Sequence, residues 1–144
     1  MKRMMCCLVL AACASAPAVL AQSSYTEGAV LQIASIRVEF GHMDKYMDYL
    51  ANEWQAEQEA LKAAGIILDY DVYETDPRSP DAPNVYLVTT YANMAAFDGL
   101  DARSDAAIKK ASGESREQDQ KGMADRNSYR RIISIETVRE RKLK

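Results

Sequence analysis

The chain has 144 residues, of which 48% are hydrophobic and 27% are charged, and its formal net charge at pH 7 is −3. This balance is typical of a globular protein and excludes a polytopic membrane protein, a low-complexity chain and a strongly basic nucleic-acid binder. The length suits a single domain that buries one hydrophobic core.

The N-terminal segment has the features of a secretory signal peptide. Lys2 and Arg3 precede an uncharged, mostly apolar stretch over residues 4–16. That stretch is shorter than the roughly 20 apolar residues that cross a bilayer. Val19 and Ala21 then supply small residues at the −3 and −1 positions of a cleavage site. We therefore expect cleavage after Ala21 and a periplasmic or secreted mature protein with no membrane span.

Cys13 offers an alternative, because the Leu-Ala-Ala-Cys sequence that ends there is similar to a bacterial lipobox, in which the cysteine carries a lipid anchor. All three cysteines lie in the segment expected to be removed, so the mature protein has no disulfide and no cysteine-based metal site. Removal of Lys2 and Arg3 leaves 16 basic and 21 acidic residues, a charge of −5. This charge argues against nucleic acid as a partner.

The mature chain begins with small and polar residues over 22–28, which are expected to form a flexible lead-in to a domain over 29–138. Residues 29–40 are rich in β-branched types and predict the first strand. Apolar residues then recur at helical spacing over 43–64 and predict an amphipathic helix, in which Trp54 packs in the core. Gly65 is well placed to end this helix.

The second half of the domain repeats this alternation of strands and helices. Residues 66–75 and 85–91 predict two strands of a hairpin, joined by a proline-rich turn. Asn93 is a suitable N-cap for a helix that starts at Met94, and two glycines predict short or broken helices over 101–127. Residues 129–138 predict the last strand, which is followed by a charged, solvated tail over 139–144.

The order β-α-β-β-α-β predicts a ferredoxin-like α+β fold, an antiparallel four-stranded sheet with helices on one face. Strand alternation assigns the other face a set of mostly polar residues: Arg37, Glu39, Asp69, Asp71, Tyr73, Tyr86, Thr90, Ser134 and Glu136. Four aliphatic residues share that face: Leu31, Ile33, Ile67 and Val88. A second copy that packs face to face would cover them, which predicts a homodimer that closes as a barrel.

Over most of residues 29–138 the sequence resembles the dimeric α/β-barrel superfamily, which includes antibiotic-biosynthesis monooxygenase-like and stress-responsive A/B-barrel proteins, and also small exported bacterial proteins. The resemblance rests on the element order, the helix that ends at Gly65 and the run from Val85 to Phe97. It implies a dimeric barrel with a partly polar interior. Haem-degrading members use an Asn, a Trp and a His in set positions, and the His lies on the second helical segment. This chain has no histidine there, so no catalytic residue is carried over.

The residues offer little conventional catalytic chemistry. His42 is the single histidine, and the chain contains no G-x-S-x-G, no HExxH and no glycine-rich phosphate loop. We therefore expect no cofactor and no metal site, although Asp69 and Asp71 with Glu39 suit a hard cation as an alternative to cross-strand ion pairs. His42, at the junction of the first strand and helix, is the one candidate for a catalytic proton shuttle or an axial haem ligand.

The best candidates for ligand binding lie on the open sheet face and are Arg37, Asp71, Tyr73 and Tyr86. Tyrosines that line a cavity suit a flat apolar or phenolic ligand, although they also suit a dimer interface. The leading hypothesis is an exported, homodimeric, non-catalytic domain that binds a small molecule, for example an aromatic one. The alternatives are a cofactor-free monooxygenase- or isomerase-like enzyme and a structural protein of the cell envelope.

Overall fold

A computed structural model describes residues 23–113 and 116–144 of the chain. The predicted signal peptide, its cleavage site after Ala21 and the alternative lipid anchor at Cys13 lie outside the described residues. The elements follow in this order: β1 (Tyr25–Val38), α1 (Met43–Tyr49), a π-helical turn (Leu50–Trp54), α2 (Gln55–Ala63), β2 (Asp69–Glu74), β3 (Val85–Tyr91), a 3₁₀ turn (Met94–Phe97), α3 (Leu100–Ser112), α4 (Arg116–Arg126) and β4 (Arg130–Leu143).

The four strands form one sheet in the order β2-β3-β1-β4, and every neighbouring pair is antiparallel. β1 and β3 are central, whereas β2 and β4 are the edges. The helices pack on one face of the sheet, where they cover alternate residues of β1 such as Ile36 and Val38. This arrangement confirms the predicted ferredoxin-like fold. None of the helices in the described part of the chain is long and apolar enough to cross a membrane.

β1 and β4 extend beyond the predicted domain limits of 29 and 138. The start of β1 pairs with the end of β4, and the outermost pair is Tyr25 with Leu143. Within this paired segment, Arg141 Nη1 donates to Glu27 Oε1 at 2.6 Å. Most of the predicted flexible lead-in and charged tail therefore forms a two-stranded ribbon. A run of charged residues has no apolar alternation that would identify it as a strand, but the backbone ladder and the opposite charges hold it in place.

The first helix spans the predicted length but contains a π-helical turn that the apolar spacing did not indicate. The N–H of Gln55 donates to the carbonyl of Leu50, five residues earlier, and α1 and α2 continue on either side. The helix ends as expected at Gly65, which has a left-handed φ of +67°. The N–H of Ile66 returns to the carbonyl of Leu61, so the turn satisfies a terminal carbonyl.

β2 begins at Asp69, three residues later than predicted, because Ile66 and Ile67 are drawn into the core beside Leu61. The assignment of Ile67 to the open face was therefore wrong. Asn93 is extended and its side chain makes no cap hydrogen bond, and only a 3₁₀ turn follows it. α3 starts later, after Gly99, and the predicted break within 101–127 occurs at Gly113, with a φ of 73°.

The core consists of two clusters between the sheet and the helices. One surrounds Ile36 and Val85 and includes Tyr46 and Leu50 from the first helix. The other surrounds Val30 and Tyr91 and includes Leu61, with Phe97, Leu100 and Ile108 packed against it. Both clusters lie on the helix-covered face, so the core leaves the opposite sheet face open.

Candidate functional site

The open face of the sheet carries the predicted ligand-binding residues in a regular grid. Strand register aligns three rows across the sheet, which run from β4 to β2 as follows: Ser134, Ser35, Tyr86, Tyr73; Glu136, Ile33, Val88, Asp71; and Val138, Leu31, Thr90, Asp69. Alternate residues of β1 face the helices, so these residues point away from them. The centre of the grid is aliphatic and the β2 edge is acidic and aromatic.

The first row joins two small side chains to two aromatic ones. Tyr73 and Tyr86 are direct cross-strand partners, and Tyr86 in turn pairs with Ser35. Ser35 pairs with Ser134 on β4. Because serine is much smaller than tyrosine, side-chain height falls along this row from an aromatic wall on β2 and β3 to the two serines, of which Ser35 is 6% exposed, and the serine end is hereafter called the depression.

A basic end lies next to that depression. Arg37 and Arg131 are paired in register one step beyond the first row. Arg131 makes ion pairs with Glu39 at 3.5 Å and with Asp81 at 3.1 Å. Arg37 Nη1 donates to the carbonyl of Ala82 at 3.4 Å, and its buried Nε has no hydrogen-bond partner among the described residues. Arg37 therefore lies on the same face of the sheet as the first row and Asp71.

The two aspartates of β2 have different environments. Lys62, at the end of α2, donates to Asp69 at 2.9 Å. This hydrogen bond, with the backbone N–H of Tyr70, holds the pKa of the Asp69 carboxyl below its usual value. Asp71 is exposed in the middle row of the grid, opposite Val88. Among the described residues, no three acidic, histidine or cysteine side chains converge as a metal site would require.

His42 does not join these residues. It precedes α1, and its ring stacks on Tyr129 with a centroid distance of 5.6 Å. Tyr129 belongs to the core cluster on the helix-covered face. The sheet therefore lies between the sole histidine of the sequence and the tyrosines of the first row, Tyr73 and Tyr86.

The β4 edge adds a second unusual surface. Ile132, Ile133, Ile135 and Val138 are all between 42% and 59% exposed. Ile135 pairs with Ala34 on the helix-covered side, whereas Val138 pairs with Leu31 on the open side. Half of the residues of β4 are charged, as is common at an exposed edge, but these four apolar side chains form a patch that a partner could cover.

Sequence reasoning missed a group of polar residues on the helix-covered side. Arg126, Arg130 and Gln58 are buried there, near cavities between the helices and the sheet. One signal was available for Arg130, because it shares the period-2 face of Ile132 and thus places a cation in an otherwise apolar row. Burial itself depends on how α4 packs, which the local pattern does not reveal.

Comparisons with known proteins bear on the fold. No family model matches the sequence, and a search of curated proteins gives no significant match. The crystal structure of HapK from Hahella chejuensis is similar over 77% of this chain and 91% of HapK, with a TM-score of 0.53 and 13% sequence identity. A dimeric ferredoxin-like protein from an uncultured marine organism is similar over 81% of this chain and 95% of its own, with a TM-score of 0.49 and 11% identity. At 13% identity, the likeness to HapK supports the ferredoxin-like fold alone.

Proposed function

We propose that this chain is an exported protein that forms a homodimer through its open sheet face and the β4 edge. The observation that carries the proposal is the β4 strand, which is 14 residues long, lies at the edge of the sheet and exposes apolar side chains on both faces, Ile132 and Ile135 on one and Val138 on the other. Such an edge is a template for pairing with another chain unless something covers it. The adjoining open face adds the half-buried Leu31 and Ile33, so one partner would cover Val138 together with these two residues.

A second copy suits this surface because its charges are self-complementary. Arg37 and Arg131 lie at one end of the grid, and Asp69 and Asp71 lie along the rows toward the other end. A two-fold axis that reverses the strand direction sets the basic end of each protomer near the acidic rows of the other. Isologous contacts of this kind are the commonest route to a dimer.

The dimer would bind a small aromatic ligand between its sheets, without turning it over. The depression at Ser35 and Ser134 leaves room between two facing sheets, and Tyr73 and Tyr86 supply rings for stacking. The buried Nε of Arg37 offers a hydrogen-bond donor at the end of the depression. His42 has no part in this proposal, because it lies on the other side of the sheet.

Export is the remaining part of the proposal and rests on the sequence of residues 1–21. The intact mass of the protein purified from the cell envelope fraction tests it. A mature chain that begins at Gln22 supports export by cleavage after Ala21. A diacylglycerol-modified Cys13 at the N-terminus would replace cleavage after Ala21 with a lipid anchor, and an uncleaved chain would contradict export.

The dimer is tested by light scattering on a sizing column with residues 22–144 across a dilution series. Val138→Lys introduces a charge at a 43% exposed position on the proposed interface. Val72→Lys is a matched control, because Val72 is 39% exposed but belongs to β2 and faces the helix side. We expect a dimer in the unmodified chain and in Val72→Lys, and a monomer in Val138→Lys. A monomeric unmodified chain, or equal effects of the two lysines, would contradict the interface.

The ligand site is tested by titration of the dimer with a panel of phenols and quinols, with product analysis in parallel. Tyr73→Phe removes one hydroxyl from the aromatic wall and is expected to weaken binding several-fold, as the loss of a single neutral hydrogen bond does. Saturable binding without turnover supports a binding protein. Turnover that is lost in Tyr73→Phe would replace the proposal with an enzyme, and the absence of binding across the panel would favour a structural role.

A further inference from the structure

The helix-covered side of the sheet contains a buried cation that the proposed dimer interface does not explain. Arg130 is the first residue of β4 and is only 6% exposed. Its Nε has no hydrogen-bond partner, and no ion pair joins it to a carboxylate of the described residues. The ring of Tyr46 lies 6.0 Å from its guanidinium carbon, at the outer limit of a cation–π contact. A guanidinium removed from water without an acidic partner is unfavourable, so this position suits an anion.

Arg130 borders a cavity of about 200 Å³ between the sheet and the helices. Arg126 borders the same cavity from the end of α4, with its guanidinium carbon 4.1 Å from the centre of the Tyr49 ring. Arg126 Nη1 lies 3.8 Å from Glu53 Oε2, and the side chain of Glu53 is mostly exposed to solvent. Tyr46, Tyr49 and Trp54 line the cavity as well, together with aliphatic side chains and the carboxylate of Glu57, so two cations and one anion border a mainly apolar, partly aromatic space.

A second cavity of about 230 Å³ adjoins the first, because both are lined by Ala34, Trp54 and Leu87. The buried side chain of Gln58 lines this second cavity. Trp54 ends the π-helical turn and contributes to both cavities. Such turns are frequent at functional sites. Each cavity is smaller than the roughly 300–1,000 Å³ of drug-sized sites, which favours a ligand with a single ring.

We propose that this cavity binds a small aromatic carboxylate, with its carboxylate on Arg130 and Arg126 and its ring against Trp54. Guanidinium groups match a carboxylate with two parallel hydrogen bonds, and the aromatic walls select an organic anion over a small inorganic one. Glu57 also borders the cavity and is half-buried, and its charge opposes the ligand. The site belongs to one protomer and does not depend on the proposed dimer.

Fluorescence of residues 22–144 provides a direct test, because Trp54 is the single tryptophan of the sequence and lines the cavity. The probes are benzoate, its neutral analogue benzamide, and inorganic phosphate. We expect a saturable change in Trp54 fluorescence with benzoate, and an affinity at least tenfold lower for benzamide and for phosphate. The absence of a saturable change with benzoate, or equal affinity for benzamide or phosphate, would overturn the proposal.

Arg130→Met tests the role of the buried cation, and Arg103→Met is its control, because Arg103 is exposed on α3, donates to the carbonyl of Ala96 and does not border the cavity. Arg130→Met is expected to lower the affinity for benzoate about 10- to 100-fold, the loss typical of a charged hydrogen bond. Arg103→Met should leave the affinity unchanged. Glu57→Gln should raise it several-fold, because it removes the opposing charge.

Stability separates a ligand-binding role for Arg130 from a structural one. An unpaired buried charge that serves a ligand is costly to the free protein, so Arg130→Met should unfold at the same or a higher urea concentration than the unmodified chain. A lower midpoint with unchanged benzoate affinity would show that Arg130 is structural and would overturn the proposal. Arg130→Lys keeps the charge but not the paired donors, so it should fold and still bind benzoate more weakly.

Discussion

The two faces of the sheet are built from the same strands but differ in what covers them. On one face, Ile36, Val38 and Val85 are almost fully buried by the helices. On the other face, Ile33 and Leu31 are only half-buried, and the tyrosines and aspartates of the grid lie on β3 and β2. The helix-covered face therefore supplies most of the buried core of the protomer, whereas the open face is the surface available for the proposed dimer.

Two isoleucines of β1 should differ most in their contribution to stability. Ile36→Ala should lower the free energy of unfolding by about 2–5 kcal/mol, because it opens a cavity in the closed core. Ile33→Ala should cost roughly 1 kcal/mol at low protein concentration, because Ile33 is half-buried in the protomer. Urea unfolding followed by Trp54 fluorescence measures both.

The dependence of these two stability costs on protein concentration tests whether the open face forms the dimer. If the open face forms the dimer, the cost of Ile33→Ala should grow as the concentration rises, since association stabilises the folded chain. The cost of Ile36→Ala should stay constant. Equal costs for the two variants at every concentration would remove the distinction between the faces.

A weaker effect is expected at high pH from the buried phenol of Tyr46. Burial raises the pKa of Tyr46 above its ordinary value of 10.0, although Arg130 and Arg126 oppose this shift. The folded protein therefore binds this proton more tightly than the unfolded chain. The corresponding stability is fully present below pH 10 and is lost as the pH rises through the raised pKa. Above pH 10, the free energy of unfolding should fall more steeply with pH for the unmodified chain than for Tyr46→Phe. An equal pH dependence in the two proteins would contradict the burial of this phenol.

The weakest effect is expected at the β2 edge, where the two faces meet. The hydrogen bond from Lys62 is the main cause that lowers the pKa of Asp69, so Lys62→Met should raise that pKa toward its ordinary value of 3.8. The stability linked to Asp69 is present above that ordinary value and is lost as the pH falls through the lowered pKa. Both groups are exposed, so salt should weaken the interaction. A carboxyl NMR titration measures the shift, and an unchanged Asp69 titration in Lys62→Met would rule out the pair.

Much of this fold could be predicted because local patterns and tertiary structure agree. The β3 strand has the bounds that its apolar run indicates, Val85–Tyr91, and Gly65 ends the first helix because the turn needs a positive φ. Alternation along β1 also predicted which residues share the open face. Ile67 was the exception, since two successive isoleucines gave no sign that both would enter the core.

The candidate sites were harder to predict, for reasons that differ between them. Arg37, Asp71, Tyr73 and Tyr86 share a face because strand periodicity places them there, but their neighbours in the grid depend on the register. The π-helical turn left the apolar spacing of the helix almost unchanged and so gave no signal. The cavity beside Arg130 exists only because α4 and the start of β4 pack near the first helix, which is a contact between distant parts of the chain.

The amino-acid sequence by itself determines the order of the elements, the two faces of the central strands and the glycine that ends the first helix. Each of these depends on periodicity or on backbone conformation within a few residues. The ribbon between Glu27 and Arg141 and the burial of Arg130 depend instead on tertiary packing. Both bring together residues that are far apart in the chain, and Glu27 and Arg141 are separated by 114 positions. Such contacts are set by how the sheet and helices pack, and no local pattern of residue types records them.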